Sequence, residues 1–317
     1  MRKSTLPYHQ CLWWPSIALL LCAFCSDAAS HGTVQFPLPG ATFRDCDACP
    51  EMVVIPVGSF QMGAPWTEGG DDETPIHTVR IAQPVAIGKY EVTRREFRTF
   101  VTETKYTDAN ECKSWVKVGW KRHGWEDSSF KSWRNPGFPQ TEQDPVVCVS
   151  WVDAKAYVQW LSQRAKNHYR LLSEAEWEFA ARGSTSTIFF FGTEKRDLCH
   201  YGNGLDLSST FKWHNKSCSD GYGAQTAPVG SFLPNGFGLH DTIGNVWEWV
   251  EDCWHATYAG APANGSAWLE DDCDNHVIRG GSWLNDPRFL RSAHRSSMFY
   301  KYRRSDTGFR VARVLVD

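Results

Sequence analysis

Residues 235–254 read NGFGLHDTIGNVWEWVEDCW: short apolar pieces broken by Gly, Asn and Asp, with Glu248 set between Trp247 and Trp249. The same texture runs over residues 183–317, where no long helical pattern emerges. Helical spacing returns toward the N-terminus. Ser173-Glu-Ala-Glu176 is a capping box opening a helix to Arg182, and residues 151–166 place Ala154, Tyr157, Val158 and Leu161 at helical spacing. Thr93-Arg-Arg-Glu96 is another capping box, for a helix through about Glu103 with Phe97 and Phe100 on one face. Residues 51–63 and 77–93 read as strands with turns. Residues 105–145, with Trp115, Trp120, Trp125 and Trp133 among Gly, Pro and charge, form a long irregular excursion. The class is α+β with low regular content.

The 317 residues are enough for a large core, and 33 basic against 36 acidic side chains argue against a nucleic-acid partner. Sixteen tryptophans suit a loop-rich fold packed by large rings. Arg2 and Lys3, the apolar run CLWWPSIALLLCAFC and the small residues of SDAAS follow the order of a secretory signal peptide over residues 1–30. Cys22 and Cys25 lack the small residues that precede a lipidated cysteine. The mature chain is expected to start near Ser30 and to be exported, periplasmic or secreted. It keeps no integral membrane segment, since no later stretch approaches 18 apolar residues. The domain reading is 31–50 as an N-terminal extension and 51–317 as the folded domain; the oligomeric state is left open.

Loss of Cys11, Cys22 and Cys25 with the signal leaves eight cysteines, an even number in an oxidising compartment. Their grouping suggests sequential bridges: Cys46–Cys49, Cys112–Cys148, Cys199–Cys218 and Cys253–Cys273. Cys46-Asp-Ala-Cys49 has a redox or metal reading as its alternative, with no histidine following it and no second CxxC to complete a zinc site.

Three C-terminal stretches, NGFGLHDTIGNVWEWVEDCW, VIRGGSWLNDPRFLRSAHR (277–295) and TGFRVAR (307–313), follow MVVIPVGSFQMG and YRLLSEAEWEFAARG in order. Together they resemble the formylglycine-generating enzyme and sulfatase-modifying-factor family over about residues 51–313. The resemblance implies that family's variant of the C-type lectin fold. It also implies two calcium sites. One falls on Asn203, the Gly204 carbonyl, Asp220 and the Tyr222 carbonyl, the other on Asp241, the carbonyls of Gly244 and Val246, and the Glu248 carboxylate. Such oxygen sets are ordinary for calcium. The alternative for Glu248 is a buried acid paired with an arginine.

The family's oxidases bind Cu(I) through two cysteines in the segment after GGS. Here the first position is Asn285, no residue matches the second, and the segment is shorter. Copper is therefore not expected, and formylglycine oxidation of sulfatases becomes a minor alternative. The HxxxHxE iron pattern of the related sulfoxide synthases is also missing. The chain looks most like the exported, cysteine-poor branch that includes tailoring proteins for pyoverdine-type siderophores. The resemblance implies a groove around Trp247, Ser282 and Asn285 for a peptide or peptide-like substrate. Ser282, Asn285, Asp286 and His294 are the catalytic candidates, with Asp286 and His294 as an acid–base pair; the alternative for Asn285-Asp286-Pro287 is a turn. Trp283, Arg288, Arg291 and Arg295 join Trp247 as substrate-binding candidates. Residues 279–313 carry nine basic side chains against Asp286 and Asp306, a charge surplus suited to an anionic or peptide ligand; the alternative is that several of the arginines pair with Glu248, Glu251, Asp252 or the acidic 270–274 run. Copper-independent tailoring and a non-catalytic binding or assembly module are the two leading functions.

Overall fold

Three helices begin where a hydroxyl side chain satisfies the free backbone N–H groups of a first turn. Thr93 caps α1 (Arg94–Thr104), Ser150 caps α2 (Trp151–Ala165) and Ser173 caps α3 (Glu174–Arg182), each as a reciprocal capping box. The computed structural model describes residues 38–107, 111–118 and 122–315. The signal-peptide reading, with Cys11, Cys22 and Cys25, the start of the N-terminal extension and Trp120 lie outside the described residues.

The strands, in chain order, are β1 (Thr42–Phe43), β2 (Met52–Ile55), β3 (Gly58–Met62), β4 (His77–Ile81), β5 (Val85–Gly88), β6 (Ser114–Val118), β7 (Arg122–Glu126), β8 (Tyr169–Arg170), β9 (Trp247–Cys253), β10 (Asn275–Arg279), β11 (Arg295–Phe299), β12 (Thr307–Phe309) and β13 (Ala312–Val314). One sheet runs β1-β2-β5-β13-β8 and is antiparallel throughout. The other runs β11-β10-β9-β12, with β12 parallel to β9 and the remaining pairs antiparallel. β3 and β4 form a separate pair, as do β6 and β7. β9 lies inside its sheet and six of its seven residues are buried, so its sequence lacks the polar alternation of a half-exposed strand.

The irregular excursion expected over 105–145 contains a hairpin. β6 pairs with β7 so that Trp115 faces Trp125, their rings 5.4 Å apart. Two large apolar clusters fill the interior. Phe97, Phe100, Tyr157 and Leu161 meet Trp249 and Phe309 in one; Ile55, Val79 and Ile87 meet Trp177 and Val277 in the other. Each such side chain, fully buried, contributes about 1.5–3 kcal/mol. Of the described tryptophans, Trp133, Trp160, Trp177, Trp247, Trp249 and Trp283 are buried, whereas Trp66 and Trp213 are exposed.

All four expected disulfides are present: Cys46–Cys49, Cys112–Cys148, Cys199–Cys218 and Cys253–Cys273. The second ties the excursion to the segment entering α2, closing 36 residues. Among the described residues no helix is long and apolar enough to cross a membrane.

Candidate functional site

α3 carries Glu174, Glu176 and Glu178, all buried. Glu174 takes a bidentate contact from Arg295 at 2.7 and 2.8 Å and a hydrogen bond from the Tyr258 hydroxyl at 3.0 Å. Glu178 pairs with Arg182 at 2.7 Å and also with Arg279, and Glu176 pairs with Arg170 at 2.6 Å. Behind them Glu248 accepts from Arg310 at both carboxylate oxygens, 2.7 Å each, and from Trp177 Nε1 at 2.7 Å. This arginine–carboxylate layer is the floor beneath residues 280–294.

The segment leaves the floor through Gly280 and Gly281, at φ 92° and 74°. A Cβ on Gly281 would meet Leu290 Cδ2 at 2.4 Å and the Phe289 carbonyl at 2.8 Å, so only glycine makes this turn. Asn285 Oδ1 then accepts from the Ser282 N–H at 2.9 Å and the Ser282 hydroxyl at 2.8 Å. The same hydroxyl lies 3.2 Å from Asp306 Oδ2, and Arg304 pairs with that carboxylate at 2.6 Å. Ser282 and Trp283 are buried, while Asn285 is partly exposed.

Asp286 and His294 do not form the expected pair. Asp286 caps a short 3-10 turn, Pro287–Phe289, accepting from the Arg288 N–H at 2.9 Å and pairing with the Arg288 side chain at 2.7 Å. His294 Nδ1 instead lies 3.3 Å from Glu73 Oε1. Burial alone would raise the Glu73 carboxyl, but hydrogen bonds from His294 and Arg291, with the Arg291 charge, hold it at about 2. The His294 ring packs 5.7 Å from Trp247 and 5.2 Å from Phe289. Trp247 also donates its backbone N–H to the Asp306 carbonyl at 2.9 Å, so it links the His294 and Ser282 groups.

Of the substrate-binding candidates, Arg291 is held by Glu73 at 2.5 and 2.7 Å, and Arg295 by Glu174. Both guanidinium groups are buried in ion pairs, which removes them from direct contact with a ligand. Arg288 is exposed. The cationic surplus of residues 279–313 is largely cancelled, because Arg279, Arg288, Arg291, Arg295, Arg303, Arg304, Arg310 and Arg313 each meet a carboxylate. Arg304 also lines a hollow of about 580 Å³ with Lys113, Trp125, Met298, Phe299 and Tyr302.

Two loops support this segment. Gly244 crosses Asn203 so closely that a Cβ would lie 1.9 Å from the Asn203 carbonyl, and it donates to the Gly280 carbonyl at 2.9 Å. Leu205 N–H donates to the Asn285 carbonyl and Trp283 N–H to the Asn245 carbonyl, each at 2.9 Å. These are the loops expected to hold calcium. Asn203 Oδ1, Asp220 Oδ2 and Asp241 Oδ1 are buried oxygens without a hydrogen-bond partner. Burial, together with the Asp206 charge, raises the Asp220 carboxyl to about 7. Burial and the Glu248 charge raise Asp241 to about 6, and burial and the Asp241 charge push Glu91 well above its ordinary value. Orphaned oxygens among mutually repelling buried acids are a donor set that fits a hard divalent cation. Tyr222 closes the first loop through its N–H to Asp220 Oδ1 at 2.8 Å. Val246 donates to Glu91 Oε1 at 3.2 Å. Glu248 makes the arginine pair that was its alternative reading, accepting from Arg310 at both oxygens and from Trp177 at Oε2 alone. Glu73, Glu91 and Asp306 were not anticipated. Asp306 lay in the quoted basic stretch as one of its two acids; Glu73 and Glu91 sit in ordinary-looking polar runs and carried no local signal.

The family description "Sulfatase-modifying factor enzyme 1-like domain" matches residues 39–315. The chain is 35% identical to the formylglycine-generating enzyme of Thermomonospora curvata, over 82% of this chain and 92% of that one. It is 33% identical to the inactive C-alpha-formylglycine-generating enzyme 2 of Bos taurus, over 74% and 76%. Among solved structures, PvdO from Pseudomonas aeruginosa superposes with a TM-score of 0.74 at 40% identity, over 88% of this chain and all of that one.

Proposed function

The chain belongs to the sulfatase-modifying factor enzyme 1-like family, and from that premise we propose that it is an exported member that binds a peptide or peptide-like substrate beside Trp247 and His294 and modifies it without copper. Siderophore maturation is the example of such tailoring that fits a compartment where four disulfides persist. The observation that carries this reading is the Glu73–His294 pair against Trp247. The Glu73 carboxylate at 3.3 Å favours the tautomer with its proton on Nδ1, against the Arg291 guanidinium 3.4 Å from the same atom, and that tautomer leaves Nε2 as the base. His294 then takes a proton from the substrate and Glu73 stabilises the imidazolium that forms. The hollow beside Arg304 offers aromatic walls to the rest of a peptide.

The donors around Ser282, Asn285 and Asp306 are hard oxygens, and the described cysteines are all in disulfides. That set does not suit Cu(I), which prefers thiolates. For calcium we propose Asn203, Asp220 and the carbonyls of Gly204 and Tyr222 in one loop, and Asp241 with the carbonyls of Gly244 and Val246 in the other. Calcium would supply charge neutralisation there. The residues themselves hold the Gly280–Asn285 turn through the backbone contacts just described.

A second reading, a binding module without chemistry, is favoured by the burial of Trp247, Ser282 and Trp283 and by an inactive relative at 33% identity. The two readings separate when wild type and His294→Ala are incubated with a peptide siderophore precursor and followed by mass spectrometry and binding. The proposal expects a changed product mass with wild type, slowed about 10²–10⁴-fold in the variant. Binding with unchanged mass favours the module, and no binding at all removes both.

A further inference from the structure

At the far end of β10 from Ser282, the shifted register between β9 and β10 sets His276 opposite Cys253. Cys273 stands three residues before His276, and Cys253 Sγ, Cys273 Sγ and the His276 ring nitrogen lie within 4.8 Å of one another. His276 Nδ1 is 3.1 Å from both the Glu251 and Asp252 carbonyls. Two carbonyls accept only from an N–H, so the proton is on Nδ1 and Nε2 carries a bare lone pair. That nitrogen lies 3.6 Å from Cys273 Sγ. The ring is fixed by stacking on Trp151 at 4.0 Å.

We propose that the Cys253–Cys273 bridge is a redox-gated metal site, which on reduction binds a thiophilic cation such as zinc through both sulfurs and His276 Nε2. A tetrahedral zinc, with Zn–S of about 2.3 Å and Zn–N of about 2.0 Å, holds sulfur and nitrogen donors roughly 3.5 Å apart. The Nε2 separation is already of that size, but Sγ is also 3.9 Å from Nδ1 and so sits beside the ring, and on reduction the freed, partly exposed Cys273 side chain must swing toward the Nε2 lone pair. Cys253 is buried and its sulfur accepts the Glu270 N–H at 3.3 Å, a contact that stabilises a thiolate. Cys273 is partly exposed, and the neighbouring Asp271, Asp272 and Asp274 are exposed acids that attract a cation.

The reductant is a dithiol. One of its thiolates attacks Cys273 Sγ, the S–S bond breaks and Cys253 leaves as a thiolate. The second dithiol sulfur then displaces Cys273, and the reductant departs as its own disulfide, having delivered two electrons. Zinc replaces the protons otherwise taken up by the two protein thiolates, with a fourth position left for water.

The test uses the mature chain, mildly reduced with a phosphine, desalted, and loaded with zinc. Alkylation mapping should show Cys253 and Cys273 among the opened cysteines. Reduced wild type should retain an additional zinc ion per chain over the oxidised protein. Cys253→Ser/Cys273→Ser should lose it, and His276→Asn should bind at least about tenfold more weakly. The His276 variant keeps both cysteines and bypasses any folding failure of the double serine variant. Reduced wild type binding no extra zinc overturns the proposal. So do extra zinc persisting in the double variant, unchanged affinity in His276→Asn, and this bridge staying closed while others open.

Discussion

Arg295 and Arg288 lie in one short segment and both face carboxylates, yet one belongs to the floor and the other to the rim. Arg295 is 1% exposed and locked to Glu174; the Arg288 side chain is 74% exposed beside Asp286. Ion pairs of the first kind hold a fold because neither charge tolerates burial alone, whereas those of the second are screened by water. The contrast shows that a cluster of arginine in sequence is not a cationic surface. Here carboxylates from α3, the 71–73 turn, α2, β9, Asp45 and the segment's own Asp286 and Asp306 neutralise it, and what remains for chemistry is the partly exposed His294.

The largest effect should come from the floor. Glu174→Gln leaves Arg295 without its counter-charge and should cost about 3–5 kcal/mol in urea unfolding; a loss below about 1 kcal/mol would erase the distinction between floor and rim. Next is calcium. Chelation with EGTA should lower the melting temperature by about 5–10 °C, the scale expected from about 2.7 kcal/mol of binding linkage. Asp241→Ala should blunt that response, and an unchanged melting temperature would remove the calcium assignment.

Glu73 provides a pH test. Its folded-state carboxyl is lowered from 4.5 to about 2, so the folded state binds fewer protons than the unfolded one between those values. Its contribution is present above pH 4.5 and lost as pH falls toward 2. Glu73→Gln should flatten the stability curve across that window; a curve of unchanged slope contradicts the Glu73–Arg291–His294 arrangement. Smallest is the rim, where Arg288→Ala should change unfolding stability by less than about 1 kcal/mol.

What was legible in the sequence was local. The Thr93–Glu96 and Ser173–Glu176 boxes act within a single turn, and the sequential cysteine pairs close short loops. The β6–β7 hairpin was missed because its arms are five residues each and its tryptophans sit among charge and glycine. For His294 the sequence left an Asp286 pair and an Asn-Asp-Pro turn open, and the turn is what forms. Asp286 is near in sequence but is consumed by its own turn, while Glu73 arrives from 221 residues away. Most partners of the arginines are similarly remote, so pairing was foreseeable but, Glu248 apart, the partners were not. The order of motifs identified the scaffold, and only three-dimensional pairing separated its frame from its reactive edge.

We propose centrally that residues 280–295 form their turn without copper chemistry. The most direct test is to incubate the purified chain with Cu(I), oxygen and a CxPxR peptide and to follow the cysteine by mass spectrometry. This account predicts that the cysteine is not converted to formylglycine with or without copper. Copper-dependent conversion to the aldehyde would contradict it.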